Sequence, residues 1–183
     1  MTKTAPRTIL LKGRGVRMER VAAGAITPGH LLRIDSNGKF AVQNAAAQRG
    51  LRAFAVENDI NGKGIDDAYA TGDFVQAEIL GSGDEVNALL AAAATAVVIG
   101  DLLECAADGT LRKVVGLTDS SGGTANTTIQ AVGGTYSQSE LANNFADIAA
   151  NINAAKASAI AVALEAVDNS GGGGAARIKV VLI

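Results

Sequence analysis

Hydrophobic and polar residues alternate in short runs along most of this chain, and the runs are separated by turn-forming dipeptides. The period of two is clearest at Val75, Ala77 and Ile79 and again at Ile178, Val180 and Leu182, which gives each segment one face for burial. Asn37-Gly38 and Asp108-Gly109 tolerate positive φ at both central positions of a tight turn, and each is flanked by apolar runs. The pattern predicts two β-hairpins, Leu31–Ile34 with Lys39–Val42 and Leu102–Cys105 with Thr110–Val115. Many short strands at this spacing favour a sandwich or barrel over a parallel sheet.

The chain also resembles itself. Residues 26–40 lie over residues 97–111 at a constant offset, with Gly29/Gly100, Leu31/Leu102, Leu32/Leu103 and Gly38/Gly109 identical. Further on, Ala53-Phe-Ala-Val-Glu57 lies over Ala161-Val-Ala-Leu-Glu165, and 75–80 over 178–183. An apolar segment precedes each Gly-x-Leu-Leu, at Val16 to Val21 and Val86 to Leu90. Two copies of one five-segment unit, about 15–80 and 84–183, account for this order. The expected fold is mainly β: two similar small units forming a sandwich- or barrel-like domain over 15–183, preceded by an extended basic arm at 1–14.

The second unit carries about 37 extra residues within a loop-helix insertion at 116–158. There Ser137-Gln-Ser-Glu140 reads as a capping box, and Leu141, Phe145, Ile148 and Ile152 follow at helical spacing, predicting a helix over about 137–155. That apolar stripe is either core packing or a face for a partner.

Composition changes the picture in two ways. Of 183 residues, 48% are apolar, yet only six are aromatic and 36 are alanine, so stability has to come from many small contacts, backbone ladders or a partner surface. The single histidine, His30, and single cysteine, Cys105, exclude paired-histidine or multi-cysteine metal sites and internal disulfides. The repeat places His30 opposite Asp101 in a turn, where an exposed polar role is expected. It places Cys105 opposite Ile34, as a small buried hydrophobe. The longest apolar run, Ala88 to Ile99, is too short to span a membrane, and a product made in a reducing cytoplasm is expected.

Charge is uneven. The first 20 residues carry Lys3, Arg7, Lys12, Arg14, Arg17 and Arg20 against Glu19, a balance of +5, and the remainder sums to −7. Such an arm is either a solvated terminus or a binding element for an acidic protein surface or nucleic acid, and the acidic body disfavours direct nucleic-acid binding. Asp66 and Asp67 are the one candidate carboxylate pair for acid/base chemistry, or with Asp73 for a calcium loop, but the spacing fits no known cation loop. No catalytic, cofactor or metal centre is expected, and a hydrolase using Asp66 and Asp67 is the weakest reading.

Taken together, Ile26-Thr-Pro-Gly-His-Leu-Leu32, Phe54-Ala-Val-Glu-Asn58, Gly62-Lys-Gly-Ile-Asp-Asp-Ala-Tyr-Ala-Thr-Gly-Asp73, Gly83-Asp-Glu-Val86, Gly100-Asp-Leu-Leu-Glu104 and Asp108-Gly-Thr-Leu-Arg112 resemble the head decoration, or capsid cement, proteins of tailed bacteriophages. The closing Ala163-Leu-Glu-Ala-Val-Asp-Asn-Ser-Gly171 and Ala176-Arg-Ile-Lys-Val180 fit the same likeness, which covers most of 15–115 and 159–183. The insertion, with Tyr136-Ser-Gln-Ser-Glu-Leu-Ala-Asn-Asn-Phe145, resembles a helical segment of several phage structural proteins, so a tail or baseplate subunit is the alternative. The resemblance implies a β-rich protein on the outside of the virion capsid, bound to the major capsid protein, homo-oligomeric and commonly trimeric, with no catalytic residues. It implies an N-terminal arm as the capsid-binding element, here Lys3 to Arg20. His30 and the insertion depart from the family pattern.

Overall fold

A computed structural model describes residues 6–47, 50–114 and 158–183. Eleven strands carry the described fold: β1 (Leu10–Lys12), β2 (Val16–Val21), β3 (Leu31–Ile34), β4 (Phe40–Val42), β5 (Ala53–Ala55), β6 (Phe74–Ile79), β7 (Glu85–Leu90), β8 (Leu102–Cys105), β9 (Leu111–Lys113), β10 (Ala161–Ala163) and β11 (Ala176–Leu182). One turn of 3-10 helix at Asp59–Asn61 precedes β6.

The two units share one topology. The first sheet runs β2-β6-β5-β3-β4, and the second runs β7-β11-β10-β8-β9 with β1 added outside β7. The second closes into a barrel where Leu90 pairs in parallel with Leu111, and the ends of the first meet at the parallel bridge between Ala22 and Phe40. Registers agree strand for strand: Leu32 pairs with Ala53 as Leu103 pairs with Ala161, and Ala53 pairs with Ile79 as Ala161 pairs with Leu182. These are the correspondences the repeated sequence predicts. Both hairpins form, around Leu32↔Val42 and Leu103↔Lys113, but in each turn dipeptide only the glycine takes positive φ.

Alternation decides which side chains fill each unit. Leu32, Phe40, Ala53, Ala55, Val75 and Ala77 pack inside the first. At the matching positions of the second, Leu103, Leu111, Ala161, Ala163, Ile178 and Val180 are buried. Leu31, Phe54, Val56 and Leu80 point outward from the first unit yet join the second unit's core cluster. The seam between the units is therefore apolar and continuous with one core.

The expected extended arm over 1–14 is corrected for its described residues, 6–14. Residues 10–12 are β1, with Leu10 opposite Val86 and Lys12 opposite Glu85, and Ile9 is wholly buried. The run Ile9-Leu10-Leu11 is too apolar to leave in water, and an exposed edge at β7 offers it backbone partners. The Ile9 amide donates to the Glu57 carboxylate at 3.0 Å. Residues 1–5 and the predicted helix over 137–155 lie outside the described residues.

Candidate interaction site

The side chains singled out by the sequence do not converge. Lys3 lies outside the described residues, and Arg7 and Arg14 are exposed. Lys12 sits on the second unit and pairs with Glu85 at 3.5 Å across a largely solvated contact. Arg17 and Arg20 belong to β2 on the first unit. Arg17 Nε donates to Glu78 at 3.0 Å, and Arg20 Nη1 donates to the Gly38 carbonyl at 2.8 Å. The three bases that lie on strands, Lys12, Arg17 and Arg20, thus divide between two sheets, and β1 and β2 are joined by Gly13-Arg14-Gly15. The stripe Leu141, Phe145, Ile148 and Ile152 lies outside the described residues.

The acidic residues with most chemical promise build turns. In four places a glycine with φ near +92° precedes an aspartate or histidine whose side chain accepts the backbone N–H three residues back: Gly29-His30, Gly72-Asp73, Gly83-Asp84 and Gly100-Asp101. A type II turn requires that positive φ, and the side-chain acceptor satisfies an amide the turn leaves unpaired. Asp67 holds the Gly64 amide in the same way at 2.8 Å. Asp66 is 87% exposed and pairs with Arg177 at 3.2 Å, so the two carboxylates are engaged by different partners. Bonding to the Val98 amide and then to Lys113 holds the Asp101 carboxyl below the usual carboxylate range.

His30 corrects one expectation: it is half-buried at the seam rather than exposed. Its Nδ1 accepts the Thr27 amide at 3.1 Å, taking the role that Asp101 Oδ2 plays toward Val98 at 2.9 Å. Burial pushes the imidazole below its ordinary pKa; Asp108 opposes that shift and Arg177 adds to it. The neutral ring is favoured in the fold, so stability is complete above the unfolded value of 6.5, falls as pH drops below it, and levels off beneath the folded value. Urea melts across that window should show this slope, and His30→Asn, which keeps an acceptor without titrating, should flatten it. An unchanged slope in the variant would assign the pH dependence elsewhere.

Cys105 is fully buried, as its isoleucine counterpart suggested, and burial raises its thiol pKa. It is a packing residue at the seam, with Sγ 3.8 Å from the Gln43 carbonyl. A depression of about 430 Å³ on the first unit is lined by Glu19, Ile60, Lys63, Tyr69, Asp73 and Phe74 among others. Its Lys63 and Asp73 pair at 3.7 Å, and the Tyr69 hydroxyl turns inward to donate to the Val56 carbonyl at 2.8 Å. No three histidine, cysteine or acidic side chains among the described residues gather to hold a metal ion, and no helix there is long and apolar enough to cross a membrane.

What the sequence reading missed is a surface. Val98, Ile99, Leu102, Leu164 and Ile183 are all exposed, and all belong to the outer side of the second unit. The repeat alignment held the signal, since these positions stay apolar where an outward-facing strand or turn ordinarily turns polar. No family model matches the chain, and no curated protein matches it either.

Proposed function

We propose that this chain is a head decoration protein of a tailed bacteriophage, bound to the outer surface of the capsid and stabilising contacts between capsomers. Its partner is the major capsid protein, and it acts as a homo-oligomer, a trimer in the pattern of the family it resembles. The observation that carries the reading is that the segments bearing the resemblance, such as 26–32, 62–73, 100–104 and 108–112, build the turns and hairpins of a duplicated barrel. Asp67, Asp73, Asp101 and Asp108 in these segments accept backbone amides, which suits a scaffold with broad outer surfaces more than an acid/base centre.

The capsid-binding role of the arm falls to its first residues. Deleting 1–14 would remove β1 and Ile9 and so confound binding with folding. Deleting 1–7 removes Lys3 and Arg7 and keeps the strand. The full chain should cosediment saturably with expanded heads that lack decoration, and raise their resistance to heat. The truncated chain should bind more weakly, with less salt dependence. Many copies gain strength by multivalent attachment, so the free subunit should melt below the attached form. Failure to bind heads, with rings or tubes forming alone, would replace this reading with a tail or baseplate subunit.

A further inference from the structure

The two units are covered unequally. Pro28, Leu31, Phe54, Val56 and Leu80 of the first unit are buried against the second. The backbone correspondence is close: Gly29 N–H bonds the Ala55 carbonyl as Gly100 N–H bonds that of Ala163, and Val56 N–H bonds Gln76 as Leu164 N–H bonds Lys179. It maps the covered residues onto Ile99, Leu102, Val162, Leu164 and Ile183. Of these, Ile99 is 70% exposed and Leu102, Leu164 and Ile183 are 37–39% exposed. A side chain kept apolar at the same place in both units, covered in one and open in the other, lacks the same kind of cover.

The cover on the first unit identifies the occupant. Ile9 of β1 contributes to it, and the part that belongs to the repeat comes from Leu89, Cys105, the Gly109 turn and Arg177 of the second unit. The Leu89 amide donates to the Gly29 carbonyl, the Leu31 amide to that of Gly109, and Arg177 Nη1 to that of Pro28. Their counterparts in the first unit are Val21, Ile34, the Gly38 turn and Phe74. Among them, Ile34 is 39% exposed and Phe74 68%. Among the described residues the chain thus presents exposed counterparts of both halves of its internal seam.

We propose that a second copy of this chain docks there, head to tail: the Ile34–Phe74 face of its first unit covers the Ile99, Leu102, Leu164 and Ile183 face of the second unit. Such a contact is heterologous, so it leaves one face open on each end of a dimer and saturates only in a closed ring. It rests on the internal repeat and not on attachment to heads, so failure of head binding leaves it standing.

Light scattering over a concentration series tests it. The intact chain should assemble beyond a dimer. Ile99→Asp with Leu102→Asp should be monomeric, and so should Ile34→Asp with Phe74→Asp. All four sites are exposed, so circular dichroism should be unchanged, and each variant should melt cooperatively at the temperature the intact chain approaches on dilution. Mixing the two variants should give a one-to-one dimer and nothing larger, because each retains one intact face. The inference is overturned if the intact chain is monomeric throughout, which would mean that residues 115–157 or another protein cover the face. It is equally overturned if either variant keeps the parent mass, or if the Ile34→Asp, Phe74→Asp chain pairs with itself.

Discussion

Gly109→Ala is expected to lower the unfolding free energy by about 3–4 kcal/mol, whereas Gly38→Ala, the same change at the matching turn of the other unit, should cost about 1–2 kcal/mol. Both glycines sit in the left-handed region, at φ 77° and 73°, so both variants incur the same backbone penalty. Their surroundings differ. A methyl group at Gly109 would lie 2.9 Å from Val42 Cβ and 3.1 Å from the Leu31 carbonyl, against a strand that cannot yield. At Gly38 the nearest atom is the tip of Arg20, 3.5 Å away. Gly109 also donates its N–H to Gln43 and accepts the Leu31 amide, so a shift of this turn breaks two bonds across the seam. Denaturant melts of the two variants check the comparison, and equal losses would show that the Gly109 turn is not held against the first unit.

Phe54→Ala is the second large effect, with an expected loss of about 3–5 kcal/mol. The ring is fully buried in the cluster that joins the units, next to Leu31, Val56 and Leu80 in that seam, and a cavity there has rigid strand on both sides. At the matching position, Val162→Ala should cost about 1 kcal/mol in the isolated subunit, since that side chain is only partly buried. The asymmetry also reports on assembly. If the second unit's face is covered by another copy, Val162→Ala should weaken association more than it weakens the fold, and a concentration-dependent melting shift would show it.

Much of this architecture was legible in the sequence because it depends on local chemistry. Asn37-Gly38 and Asp108-Gly109 specify their hairpins within a few residues, and the constant offset between 26–40 and 97–111 carries over into register without a slip. The arm was misread because its fate is set at a distance. Basic residues dominate its composition, but Ile9 and Leu10 find a strand edge at Val86 that no local pattern announces. His30 was placed in the correct turn and given the wrong exposure, since the turn is local and the neighbouring Asp108 and Arg177 are not. The exposed face of the second unit escaped for the same reason. Its residues look like ordinary strand hydrophobes until the packing of the first unit shows what the equivalent positions do.

The added strand at the start of the chain has a consequence for how the molecule is made. Synthesis delivers β1 before β2 to β7, but its only strand partner among the described residues is β7, and all of β2 to β6 intervenes. The first unit can close on contacts drawn wholly from its own segment, while Ile9-Leu10-Leu11 waits unpaired until the nascent chain has passed Leu90. Contacts of such long separation form late and slowly. β1 is then made before the first unit yet is among the last strands to be ordered, and it fastens the segment ahead of that unit to the unit that is completed last.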